Sequence, residues 1–156
     1  MDSDAKIYIE RAENELLLAN VNFNISTSKK LKEELGVPSD KTFFNNVISL
    51  AYYGIFYSAK AYLVANGVKT IAPEEHKKTY EEFRNFVDSG KVDRQLLELY
   101  EIETQKATVL LKIFIDEKRK RGIFTYNIKS DANIPAAKES LENSRKFISM
   151  IKFVLK

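Results

Sequence analysis

The strongest local feature of this chain is IDEKRKRGIFTYN, residues 115–127. On a helix, Asp116 and Glu117 lie one turn before Lys120 and Arg121, at i, i+4 spacing. Glu117 so placed can hold the Arg121 guanidinium in a fixed orientation. That planar fork suits phosphate oxygens in a way that Lys cannot reproduce. Tyr126 follows five residues later, where its phenol can donate a hydrogen bond. The plainer account of Lys118, Arg119 and Lys120 is electrostatic. Cations favour helix C-termini because they meet the negative end of the macrodipole and cap the last carbonyls.

His76 follows Glu74 and Glu75 at the start of a predicted helix and is the only histidine. One imidazole and no cysteine exclude thiol chemistry, disulfides, Cys-based metal sites and any site needing two imidazoles from one chain. A di-metal helical bundle wants repeated Glu-x-x-His pairs, which are missing, so neither a metal nor a cofactor is expected. A histidine at a helix start is ordinarily a surface or capping residue. The rings of Tyr52, Tyr53, Phe56 and Tyr57 are of a kind that stacks on nucleobases, although aromatic stripes on a central helix usually pack into a core. Tyr52 and Tyr53 are adjacent and diverge by about 100° on a helix, which predicts that they do not face one partner. Asn45 and Asn46 are candidate polar contacts at one end of the same helix. No Gly-rich phosphate loop, Ser/His/Asp triad or Walker-type lysine is present.

These residues need helices to position them. Ser3 or Asp4 can cap a first helix whose apolar face is Ile9, Ala12, Leu16, Ala19 and Phe23. A piece over 28–35 continues it after a bend near 24–27, and Gly36 and Pro38 stop it. Ser39 or Asp40 caps a central helix over 41–66, ended by Gly67. Its small residues Ala51, Gly54, Ser58, Ala61 and Ala65 fall three and four apart, a straight seam along which another helix can come close. A third helix follows Pro73, with Tyr80, Phe83 and Val87 on one face. A fourth runs over 92–121 with the stripe Leu96, Leu99, Ala107, Leu110, Leu111 and Phe114. Residues 122–133 read as a linker. A last helix, framed by Asn133 and Pro135, carries Ala137, Leu141, Ser144, Ile148, Ile151 and Leu155 at the same three-four spacing. With no strand alternation, the expectation is an all-α fold, an antiparallel up-and-down bundle of four to five helices forming one domain over 1–156.

The chain of 156 residues suits a single core, and five glycines and three prolines favour long helices over many turns. A net charge of +3 permits nucleic-acid binding without demanding it. The N-terminal segment is acidic and amphipathic rather than signal-like. No apolar run approaches the roughly 20 residues that span a bilayer. The reading is a soluble cytoplasmic protein without membrane contact.

Three pieces, in order, resemble the HEPN family (higher eukaryotes and prokaryotes nucleotide-binding domain), of the small stand-alone archaeal and bacterial type. They are AYYGIFYSAKAYLVANGV over 51–68, KTIAPEEHKKTYEEF with His76 and Phe83, and RKRGIFTYN before a final amphipathic helix. The resemblance implies an up-and-down bundle, often homodimeric. It implies a site in which an Arg, carried onto Arg121, stands four to six residues before a His. Here that second position is Tyr126. A phenol with a pKa near 10 is a poor acid–base group at neutral pH, so the departure argues against strong catalysis. The function implied is binding of a nucleotide, RNA or a partner protein, with Arg121, Tyr126, Glu117, Tyr53, Tyr57 and His76 as ligand-binding candidates. Two alternatives follow from the same family. One is a metal-independent, toxin-like ribonuclease using Arg121 with Tyr126 or His76. The other is a structural partner, as in toxin–antitoxin pairs, of a separate minimal nucleotidyltransferase.

Overall fold

Caps and breaks divide the chain into helices, and the computed structural model describes residues 1–120 and 134–156, with side chains over 1–110 and 134–156. The described elements are α1 (Ser3–Thr27), α2 (Lys29–Leu35), α3 (Phe44–Ala65), α4 (Glu75–Asp88), α5 (Arg94–Lys120) and α6 (Ile134–Val154). Asp2, rather than Ser3 or Asp4, caps α1 by accepting from the Asp4 N–H at 3.0 Å. Ser28 turns extended, with φ −117° and ψ 111°, and its hydroxyl accepts from the Leu31 N–H at 3.2 Å. That cap makes α2 a helix of its own, which is why six helices appear among the described residues rather than four or five. Gly36 closes α2 at φ 70°, a conformation that costs a side chain strain.

The start of α3 differs from expectation. Neither Ser39 nor Asp40 caps it. The helix begins at Phe44, and the Phe43 N–H donates to Ser26 Oγ on α1 at 2.7 Å. A hydroxyl seventeen residues away thus satisfies a donor that a local cap would otherwise take.

Helices α1, α3, α5 and α6 form the up-and-down bundle. Tyr8 stacks beside Tyr57 and Phe23 meets Phe44 edge-on, so α1 and α3 run antiparallel. Tyr100 against Phe147 and Lys106 bonded to the Ala136 carbonyl set α5 antiparallel to α6. Lys152 pairs with Glu13, and Arg145 reaches Asn20, which does the same for α6 and α1. Helices α3 and α6 run the same way and form the short diagonal. Among the described residues, α1 and α5 do not touch.

The small-residue seam is what lets that diagonal close. Ala51, Ser58 and Ala61 are fully buried, and Gly54 sits where three helices converge. A Cβ on Gly54 would stand 2.7 Å from Ser144 Oγ of α6 and 3.4 Å from the Ala12 carbonyl oxygen of α1. The seam ends sooner than its spacing suggests, because Ala65 is exposed. On either side of this crossing lie two apolar clusters. One is built around Ile55, Tyr62, Phe83, Tyr100 and Phe147, the other around Phe44, Val47, Ile48 and Leu141.

The inner face of α5 is Leu96, Leu97, Tyr100 and Glu103, all buried, whereas Leu99 and Ala107 are only half-buried. Glu103 is fully buried and accepts from Lys106 Nζ at 3.1 Å and Asn143 Nδ2 at 3.0 Å. The face read for α6 holds, with Leu155 only half-buried, and Ser140 and Phe147 join it. One composition reading is corrected. Helix α3, with 22 residues, is long and apolar enough by length and composition to cross a membrane, but most of it is buried inside the bundle. Asn45, Asn46, Ser49 and Gly54 interrupt the run and disguise its overall apolar character.

Candidate functional site

Helix α4 packs on the outside of the bundle against α3 and α5. A cleft of about 500 Å³ opens where the first turn of α4 meets the N-terminal half of α3 and the middle of α5. From α3 it takes Asn45, Asn46, Ser49, Tyr52 and Tyr53. From α4 it takes His76, and from α5 Thr104, Ala107, Thr108 and Leu110. A cleft of this size falls in the range of small-molecule sites.

One wall is aromatic. The His76 imidazole lies flat on Phe56, with ring centroids 3.9 Å apart and planes 9° apart. Its Nδ1 is hydrogen-bonded to the Tyr52 hydroxyl at 2.8 Å. Tyr52 also stacks beside it at 5.8 Å, and Tyr53 meets it edge-on at 5.6 Å. Tyr52 and Tyr53 therefore share a partner, against the expectation from their 100° divergence. The reason is reach: two long side chains bend from either side of the helix toward one imidazole lying across it. Tyr53, 38% exposed, and His76 are the open rings of the wall.

The opposite wall is neutral and polar. Thr104 and Thr108 donate their hydroxyl protons back to the carbonyls of Tyr100 and Thr104, at 2.7 and 2.8 Å. Their lone pairs remain as acceptors. Asn45 and Asn46 supply amides from the first turn of α3.

Burial, then the nearby Lys60 charge, lower the His76 pKa from its ordinary 6.5, while Glu75 pulls it the other way. The imidazole is neutral at pH 7. Burial, reinforced by Tyr53, pushes the Tyr52 hydroxyl up to about 12, so it stays a phenol throughout the neutral range. Every described lining residue is thus uncharged at neutral pH. The His76 tautomer is set by the bond to Tyr52. When Tyr52 donates to Nδ1, Nε2 carries the proton and is a donor, and the reverse arrangement makes Nε2 an acceptor.

Behind the wall lies a buried cation. Lys60 is 4% exposed and donates to the Thr70 carbonyl at 3.1 Å. It forms an ion pair with Glu75, and its ammonium stands 4.9 Å from the Tyr8 ring centroid and 5.8 Å from that of Phe56. Thr79 hydrogen-bonds Thr70 at 2.7 Å and the Glu75 carbonyl at 2.8 Å. Loop 66–74 and the first turn of α4 are thereby tied to α3.

The structure brings His76 and Tyr53 of the expected site residues together. Tyr57 lies outside the cleft, stacked on Tyr8 with the Arg11 guanidinium 4.3 Å above its ring. Arg121, Tyr126 and the Glu117 side chain lie outside the described residues. Sequence reasoning placed Asn45 and Asn46 at a bundle end but missed Thr104, Thr108 and the role of Lys60. Only a hydroxyl repeat at i, i+4 on α5 marked the threonines. Nothing local marks a lysine inside an apolar helix as buried rather than exposed. No family model, curated protein or solved structure matches the chain significantly.

Proposed function

We propose that this chain is a HEPN-like helical module that binds a nucleotide or RNA, with one base in the cleft between α3, α4 and α5, and without strong catalysis. The supporting observation is the wall of Tyr52, Tyr53 and His76 facing uncharged amides and hydroxyls. Aromatic faces stack on any base, and Asn amides pair with base edges. An uncharged cleft favours the base over its phosphate.

Weak catalysis follows from the same groups. Tyr52 is far too basic in its ionised form to exchange protons near pH 7, and His76 is engaged with it. The neutral imidazole is also the one observation that favours the ribonuclease reading, because a neutral His is a competent general base. Calorimetric titration with adenosine, uridine and their monophosphates, beside a cleavage assay on a single-stranded RNA, separates the two. Binding without cleavage is expected. Cleavage lost in His76→Ala would replace the binding reading with the nuclease one. Absence of binding by every nucleoside, nucleotide and RNA would remove both. Two copies pairing as a homodimer belongs to the same proposal, and light scattering at twice the 18.0 kDa chain mass is the expected result.

A further inference from the structure

We infer that Lys60 is the positioning residue of the cleft: its buried ammonium, clamped by Glu75, fixes the first turn of α4 and so holds His76 flat on Phe56 and within reach of Tyr52. A lysine that is almost wholly buried needs its charge compensated. Here the compensation comes from one carboxylate, one carbonyl and two ring faces, and the carboxylate belongs to Glu75, the residue just before His76. The clamp matters because α4 has no ordinary start. The residue before its first turn, Glu74, takes a left-handed conformation at φ 57° and supplies no side-chain cap. The first turn is therefore held by contacts to α3 rather than by its own cap. The Lys60–Glu75 pair is the charged contact of that kind, and the Thr70–Thr79 bond ties the next turn to loop 66–74. Phe56 completes the link, since it borders the ammonium and also carries the imidazole.

The geometric claim stands without any ligand; only its consequence for binding rests on the proposed base site. His76 is the only histidine, so its ring protons titrate in an NMR spectrum without overlap. In the parent they should be shifted upfield by the Phe56 ring, with a pKa below 6.5. Lys60→Met keeps the volume and removes the charge. It should lower the thermal midpoint only modestly, because the Glu75 carboxylate it leaves behind is part exposed and can be solvated. It should nevertheless abolish the upfield shift and return the pKa toward 6.5.

Glu75→Gln decides between a clamp and a simple field effect. If Glu75 acts on His76 only through its charge, its loss lowers the His76 pKa further, because that carboxylate raises it. If it acts by holding Lys60, its loss frees the ring and the pKa rises toward 6.5. The rise is expected, together with loss of the upfield shift. An unchanged or lowered pKa in Glu75→Gln with the ring shift intact overturns the inference, as does a parent-like His76 spectrum in folded Lys60→Met. The binding arm uses adenosine: Lys60→Met should weaken it by about fivefold or more, the loss of one stacking partner. If adenosine fails to bind the parent, the base site fails while the NMR result still decides the clamp.

Discussion

A lone imidazole with a depressed pKa makes acid stability a readout of one residue. Because the folded pKa lies below the unfolded value of 6.5, the unfolded chain takes up its proton first as pH falls. The stability that the neutral ring contributes is present above pH 6.5 and is lost as pH drops to the folded pKa. The parent should therefore lose more stability between pH 7 and pH 5.5 than His76→Phe, which keeps a flat ring on Phe56 but cannot titrate. Denaturant midpoints of the two proteins at both pH values check this, and parallel losses would contradict it. Tyr53 gives the matching test of binding. Its ring is open to solvent, so Tyr53→Ala should leave the melting temperature within a few degrees while weakening nucleoside binding by about 1–3 kcal/mol. The Lys60–Glu75 pair predicts an asymmetry. Glu75→Ala strands a buried ammonium and should cost more than Lys60→Met, toward the lower end of the ~3–5 kcal/mol seen for broken buried pairs, because Glu75 itself is part exposed. Chemical denaturation of the two variants measures the difference.

Among the elements, the α3–α6 contact leaves no room for a side chain at Gly54. Gly54→Ala gains roughly 1 kcal/mol of helix propensity but forces a Cβ to 2.7 Å from Ser144 Oγ. Overpacking of about 1–3 kcal/mol should win, so the single variant is destabilised. Ser144→Ala removes the obstructing atom, a buried hydroxyl that has no partner among the described residues. In that background Gly54→Ala should become neutral or stabilising, and a double-mutant cycle followed by thermal melting shows the reversal. Ala61→Leu, further along the seam, should cost about 1–3 kcal/mol for the same reason.

The seam was legible because small residues at helical spacing have one geometric consequence. The start of α3 was not, because its donor is satisfied by Ser26 across 17 residues and no local pattern encodes that. On α5, Leu96 and Leu99 suggested one face and Leu96, Leu97, Tyr100 and Glu103 proved to be the inner one. A buried Glu is read from sequence as exposed until Lys106 and Asn143 are seen beside it. For the site, the rings and amides of α3 were visible as types. The cleft they form depends on His76 arriving from a helix 24 residues away.

For the whole molecule, α3 is the hub: α1, α4, α5 and α6 all pack on it. The helix that covers its small-residue seam, α6, is the last described in the chain. A polypeptide made from its N-terminus completes α3 long before α6 exists. At about 5–20 residues per second, the roughly 90 residues between the end of α3 and the end of α6 take on the order of 5–20 s to synthesise. Over that interval α1 can cover one side of α3, and α5 another once it is made, but the face meant for α6 stays open to the end, on a helix apolar enough to pass for a membrane span. A ribosome-stalled chain ending at residue 133 should therefore bind a hydrophobic dye and a general chaperone, and release both once residues 134–156 have emerged. The close fit at Gly54, which gives the bundle its short diagonal, makes the nascent chain wait for α6.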